Sequence, residues 1–372
     1  MLAPPWIGVP PHGYGGIESV VSLLSDELVR RGHSVTLFCA AGSHSAAIVR
    51  PLLDAPHPDR IGEALFEADH VAQAFAEIDA TADTGWPFDI VHDHSGFTAL
   101  AMADSLSVPI VHTLHGEFDR YTGAFYERHG HKAALVAISA AQQATAPLGV
   151  EVAAVIPNPV AVADWPLQAR KADYLLWIGR LCADKGPERA IDVARRADLP
   201  LVLAGPVQPG QEDFFDTEIA PHLERGQVTY VGEVAGRAKT ELFASARAML
   251  MPITWPEPFG MVMVEALACG TPVIAFPQGA AREIVVDGEN GFLVADENEM
   301  ASAIKRVGDI EPWACRQSVA SRYDVSAVTA QYDALYRTIL AWTPEPKRRD
   351  VELGSRARGP GVFPDARPQP AG

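Results

Sequence analysis

Short apolar runs recur along the whole chain, and between them the spacing of apolar positions is helical. Runs at residues 34–39, 88–92, 110–114, 134–138, 152–156, 174–178, 201–205, 228–234, 248–252 and 273–276 read as buried strands. The segment 1–5 reads as the tail of a further strand at the start. Residues 17–31 place Val20, Val21, Leu24 and Leu28 on one helical face, with Gly32 as terminator. Helices are also expected at 61–80, within a segment 51–83 that otherwise reads as a connection, and at 187–196, 239–245, 297–307, 311–320 and 326–342. Alternating strands and helices predict doubly wound parallel α/β sheets. Ligands of such sheets bind outside the carboxyl ends of the strands.

One phrase at such an end is dense in chemistry: Trp255-Pro256-Glu257-Pro258-Phe259-Gly260-Met261-Val262-Met263-Val264-Glu265-Ala266. Pro258 suits the first turn of a helix. Phe259, Gly260 and Met261 then carry free backbone N–H groups at its start, where the helix dipole favours an anion. Gly260 keeps that backbone bare. Glu257 precedes the helix and Glu265 lies about two turns into it. Two separated carboxylates with an anion site between them suit a ligand with a sugar at each end and phosphates in the middle, a nucleotide sugar. Each glutamate alone fits a second reading equally well, an acid favoured by a helix N-terminus or a solvated side chain.

Glu-x7-Glu inside Glu-Pro-Phe-Gly-x4-Glu-Ala-x-Ala-x-Gly-x-Pro-Val resembles the signature of family 4 glycosyltransferases. Gly179-Arg180-x4-Lys185-Gly186 is similar to a second signature of that family. The resemblance spans nearly the whole chain. It implies the GT-B fold: two Rossmann-like domains face each other across a cleft, and a C-terminal helix crosses back to the first. The implied division is 1–158 on the acceptor side, 159–324 for the nucleotide sugar and 325–342 as the crossing helix; residues 343–372, dominated by Pro, Gly and Arg, read from composition as a disordered tail. Pro157-Asn158-Pro159-Val160 matches the interdomain turn.

The resemblance also implies roles and a sugar transfer that retains anomeric configuration. Glu265 would hold ribose hydroxyls and Glu257 those of the transferred sugar. Arg180, Lys185 and the backbone amides from Phe259 to Met261 would neutralise the leaving diphosphate, with Pro258 beside them. Gly15 and Gly16 would face that diphosphate across the cleft. His115 would contact the sugar near the reacting carbon, and Ser139 would cap the following helix. Val231 and Gly232 would read the nucleotide base by their backbone. Leu242 fits two readings equally, contact with that base or simple core. His92 and His94 suit cleft lining or a place beside a helix cap. Glu117, Asp119, Arg120 and Tyr121 would stand on the acceptor side. The chain departs from the pattern at Ala280, where a second glycine usually follows Gly279, and in its short first strand.

The 372 residues carry a net charge of −17, and acidic residues clearly outnumber basic ones before residue 160. That disfavours nucleic acid or an anionic lipid surface as main partner. The acceptor stays open between glycan, lipid and small molecule. Cys39, Cys182, Cys269 and Cys315 lack metal-ligand spacing and read as buried thiols. No Asp-x-Asp occurs, so no metal or other cofactor is expected. No transmembrane run or leader is apparent, and cytoplasmic is the default. A same-fold alternative is a GT-B nucleotide-sugar epimerase; a different-class one is a non-catalytic sugar-binding protein of two hinged α/β domains, which predicts an export signal. A nicotinamide oxidoreductase lacks its fingerprint, because Gly13, Gly15 and Gly16 do not give G-x-G-x-x-G.

Overall fold

A computed structural model describes residues 1–82, 84, 86–223 and 226–342. The expected tail at 343–372 lies outside the described residues. The first half contains strands β1 (Thr36–Ala40), β2 (Ile48–Leu53), β3 (Val91–Asp93), β4 (Ile110–Leu114), β5 (Ala134–Ala137) and β6 (Val152–Val155). β1 pairs with β2, and β3 to β6 pair in sequence order, all parallel. Leu2 bridges Phe38 of β1 and Asp93 of β3, so the first strand is a single residue that joins the two groups.

β2 corrects the reading of 51–83 as mainly connection plus helix. It holds Arg50 and Pro51 and buries little, which hides it from an apolar-run criterion; as an edge strand it tolerates proline. The helix after it runs over Ala64–Ala80, a little later than the spacing suggested.

The second half contains β7 (Leu175–Ile178), β8 (Leu201–Ala204), β9 (Val228–Tyr230), β10 (Ala248–Met251), β11 (Val273–Ala275) and β12 (Gly291–Leu293). Their order is β12-β11-β10-β7-β8-β9, again parallel. The order reverses direction between β10 and β7. The loops after these two strands therefore flank the crevice of the sheet. One apolar cluster surrounds this sheet, with Trp177, Leu175, Leu176 and Phe243 at its centre.

The chain passes between the halves twice, at 157–161 and at 323–325. The two passages are paired: Val160 N donates to Tyr323 O at 2.8 Å and Val325 N to Val160 O at 2.9 Å. The final helix, Val325–Trp342, returns to the first half. Val328, Tyr332 and Tyr336 pack there with Val20, Leu24 and Leu28 of the Gly16–Arg30 helix. Their hydroxyls reach further than an apolar stripe requires. Tyr336 Oη lies 2.6 Å from His92 Nδ1, and Tyr332 Oη 3.1 Å from Thr113 Oγ1, both in the interior. All four cysteines are buried and free. No helix among the described residues is long and apolar enough to cross a membrane.

Candidate active site

The second half supplies the charges. β7 ends at Ile178, and a tight turn at Ala183–Lys185 leads through Gly186 into the Pro187–Ala197 helix. Gly186 has φ 70°, and a Cβ there would come within 2.5 Å of Pro252 O after β10. Glycine thus lets the two crevice loops touch, and the contact aims Lys185 back over the β10 loop. Lys185 Nζ pairs with a carboxylate oxygen of Glu257 and sits 4.6 Å from the centre of the Trp255 ring. Glu257 is itself clasped from behind. Ala280 N donates to its carbonyl at 3.0 Å, and a Cβ on Gly279, at φ 51°, would strike its backbone. The Gly279-Ala280 turn thus fixes the Glu257 main chain, and alanine at 280 fits it because this side chain is fully buried.

The signature helix begins later than the sequence suggested. It spans Met261–Ala268, with Gly260 as N-cap at φ 86°. Pro258 and Phe259 therefore belong to the loop, and the left-handed glycine marks the start in place of proline. Phe259 is buried and meets Tyr323 edge-on at 5.6 Å. Glu265 is consequently the fifth residue of the helix, about one turn in. Its Oε1 pairs with Lys239 Nζ at 2.8 Å, while its Oε2 is buried without a partner. Lys239 stands on the Gly236–Ser245 helix. A carboxylate oxygen left bare in the interior implies a missing donor, such as a ligand hydroxyl.

The first half faces these groups. Gly15 is the N-cap of the Gly16–Arg30 helix at φ 157°, and Ser19 Oγ closes onto its carbonyl at 2.8 Å. A Cβ at Gly16 would meet no protein atom within 4 Å. Bareness at Gly16 therefore leaves room in the cleft and does not serve packing. Tyr14 crosses the gap: its N–H donates to Glu233 Oε1 at 2.6 Å, and the Arg180 guanidinium lies 5.8 Å from its ring centre. His115 follows β4. Its Nε2 is 2.8 Å from His94 Nδ1, and burial pushes its pKa down to about 3. His94 is driven well below the usual histidine range, chiefly by burial and then by His92 and His115. Both imidazoles are therefore neutral at pH 7.

These groups surround two adjoining cavities. The larger, about 290 Å³, has His115 on one wall and Arg180, Lys185, Glu257 and the Pro258–Met261 segment on the other. The smaller, about 140 Å³, is lined by Gly15, Gly16, Glu233, Lys239 and Glu265. The larger cavity also receives Asn158, whose buried Oδ1 has no partner. The larger cavity offers two cations and a helix N-terminus to an anion, and each chamber carries at least one carboxylate: Glu257 in the larger, Glu233 and Glu265 in the smaller.

Several sequence-predicted residues stand elsewhere. Val231, Gly232 and Leu242 line neither cavity. Gly232 O accepts from Gly205 N at 2.7 Å, which ties its loop to the β8 end. Leu242 packs against the second core, and its carbonyl accepts from Tyr174 Oη at 2.7 Å. Of its two readings, this geometry matches core; Glu233 and Val234 occupy the cavity wall in its stead. Asp119 caps the Arg120–His129 helix through Tyr121 N and Thr122 N, both at 2.7 Å. Ser139 caps the Ala140–Ala144 helix through Gln142 N at 2.9 Å. His92 is interior and bonded to Thr113 and Tyr336. Lys239 and Glu233 escaped the sequence reading, since each is an isolated charge whose partner is set only by folding.

Comparison with known proteins follows the same division. The model for Glycosyltransferase Family 4 matches residues 14–164, and the model for Glycosyl transferases group 1 matches residues 165–312. A glycogen synthase of Mycobacterium tuberculosis is 28% identical over 375 residues, covering 87% of this chain and 89% of its own. The crystal structure of AviGT4, a glycosyltransferase involved in Avilamycin A biosynthesis, aligns with a TM-score of 0.68 at 27% identity, covering 91% and 94% of the two chains. Anabaena Alr3699/HepE in complex with UDP and glucose aligns with a TM-score of 0.67 at 22% identity, covering 91% and 99%.

Proposed function

The chain belongs to the group 1, family 4 glycosyltransferases, with their GT-B fold, and on that premise we propose that it transfers a sugar from a nucleoside diphosphate sugar with retention at the anomeric carbon. The observation that carries this reading is the larger cavity. Arg180 and Lys185 meet Glu257 and the Met261 helix start there, opposite His115.

In this reading the donor spans both chambers. Its ribose hydroxyls take the bare Oε2 of Glu265 in the smaller one. Its diphosphate lies over the N-terminus of the Met261–Ala268 helix, with Gly16 giving it space from the other side. Arg180 binds phosphate oxygens with its planar fork. Lys185 exchanges Glu257 for the phosphates, and Glu257 is then released to accept hydroxyls of the transferred sugar. As the bond to the anomeric carbon breaks, negative charge grows on the leaving diphosphate. Cations and amides already in place stabilise that charge without reorganisation. The acceptor approaches from the His115 side, its hydroxyl oxygen bonds to the face the diphosphate leaves, and its proton passes to the departing phosphate oxygen.

HepE, of the same fold, holds UDP, which makes a uridine donor the first to try. The test is a panel of UDP-, GDP- and ADP-linked sugars, followed by release of nucleoside diphosphate. Expected is turnover of one donor, with the anomeric configuration of the product, read by NMR, equal to that of the donor. An inverted product would overturn the mechanism. Chelator is expected to leave turnover intact, because arginine, lysine and a helix terminus suffice for the diphosphate charge. Loss on chelation with recovery on magnesium would show that they do not.

A further inference from the structure

The inference below rests on reading His115 as a residue that touches the donor sugar. Its Nε2 and the Nδ1 of His94 are 2.8 Å apart, so one proton lies between two neutral rings. Either histidine could own that proton, and the two cases differ in what they leave behind. His94 is 2% exposed, and its other nitrogen, Nε2, is buried with no partner. If His115 were the donor, the proton of His94 would sit on Nε2. That would strand an N–H in the interior, which folded proteins very rarely accept. If His94 is the donor, only a lone pair is stranded, a condition interiors tolerate more often.

The plane of His94 is also held. Its ring lies against His92 with centroids 4.1 Å apart. His92 is fixed at both nitrogens, by the Tyr336 hydroxyl at 2.6 Å and the Thr113 hydroxyl at 2.8 Å. On the far side, His115 lines the larger cavity, and its Nδ1 has no hydrogen-bond partner among the described residues.

We propose that His94 is a positioning residue: it donates from Nδ1 to Nε2 of His115, which places the proton of His115 on Nδ1, as a hydrogen-bond donor toward the sugar. His115 then offers an N–H to a sugar oxygen and cannot accept a hydroxyl proton there. A donor at this point complements Glu257, which accepts from the opposite wall. The pair would read the orientation of the transferred sugar by one donor and one acceptor.

The test is ¹⁵N NMR of histidine-labelled full-length protein without ligand, assigned with His94→Asn and His115→Asn. Expected for His115 is a protonated Nδ1 and an unprotonated Nε2; the reverse, or an averaged signal, overturns the assignment. Turnover is then measured as nucleoside diphosphate release from UDP-glucose, ADP-glucose and GDP-mannose, using whichever is hydrolysed fastest. His94→Leu should lower kcat roughly 10- to 100-fold, by analogy with the loss when the partner that orients a metal-ligating histidine is removed, with donor KM little changed. His94→Asn keeps an N–H near the Nδ1 position and should recover most of that loss. Equal kcat losses in both variants, or none in His94→Leu, would defeat the positioning role. Normal turnover in His115→Ala would remove the reading beneath the proposal whatever the tautomer. A reversed tautomer with an inactive His115→Ala would remove the proposal and leave that reading in place.

Discussion

In the second half, one apolar cluster encloses the whole sheet, and Lys185, Glu257, Lys239 and Glu265 stand at its rim in opposite-sign pairs. In the first half, the apolar residues divide into four smaller clusters. Between them lie His70, His92, His94, Asp93 and His112, all buried. Burial pushes His70 down to about 4 and His115 to about 3, and raises Glu18 to about 7. The cleft wall of the second half thus presents paired charges, and on the first half His92, His94 and His115 are imidazoles that burial keeps neutral. The difference matches the two things a transferase must hold. A diphosphate requires fixed charge, whereas an acceptor hydroxyl near an electron-poor carbon gains nothing from a competing cation.

Breaking the charged wall should have the largest effect. Lys185→Ala or Arg180→Ala should lower turnover by at least about 100-fold, the usual loss for one preorganised charge-stabilising group. Near-normal kcat in both variants would falsify the role given to this wall.

Next comes the support behind it. Gly279→Ala forces a side chain into the Glu257 backbone at a positive φ. It should cost about 2 kcal/mol in urea unfolding, more than the ordinary gain from replacing glycine, and lower turnover through displaced Glu257. An unchanged urea midpoint would mean that the clasp is loose.

The neutral wall should break differently. Tyr336→Phe removes the hydroxyl on His92 and leaves a buried nitrogen unpaired, at a cost of roughly 1–2 kcal/mol. Its signature is lower stability with donor KM unchanged, since no donor contact is lost. A rise in KM without loss of stability would place the final helix in the site itself.

The smallest effect sharpens the contrast. Glu18, buried and held near pH 7 by desolvation, keeps its proton in the folded chain while the unfolded chain releases it near 4.5. Its contribution to stability is therefore full below about pH 4.5 and lost as pH rises through about 7. Glu18→Gln carries no such proton. The variant should match wild type at low pH and exceed it by on the order of 1 kcal/mol at pH 8. A difference that does not grow between these limits would mean that Glu18 is ionised in the fold.

How far these features were legible depended on whether their cause was local. The alternation of apolar runs and helical faces gave both sheets, because parallel strands buried on two faces read as continuous apolar segments. β2 escaped that criterion, since an edge strand with Arg50 and Pro51 buries little. The charged phrase around Glu257 was visible because one loop and one helix turn carry it. The start of its helix was misplaced by a few residues, as proline signals a helix more loudly than a left-handed glycine does. Lys239 reaches Glu265 across 26 positions and Tyr14 reaches Glu233 across 219, and no local pattern announces either. The histidine wall was harder still. The family resemblance singled out His115, but His92 and His94 showed only as candidates for cleft lining or a helix cap, and only the final helix, folded back, supplies the Tyr336 hydroxyl on His92 and the Tyr332 hydroxyl on Thr113.

The doubled passage between the halves bears on how the molecule could be controlled. Val160 and Asp324 run side by side, so the two passages form one short paired seam between the halves. Tyr14 and Glu233 join the halves a second time, at the lip of the smaller cavity. A covalent tether across the seam would be nearly silent, because it joins parts that hardly separate. The same tether at the lip would act as a clasp over the smaller cavity. A reversible tether at that lip would make the enzyme switchable by redox conditions without altering any group that touches the sugar.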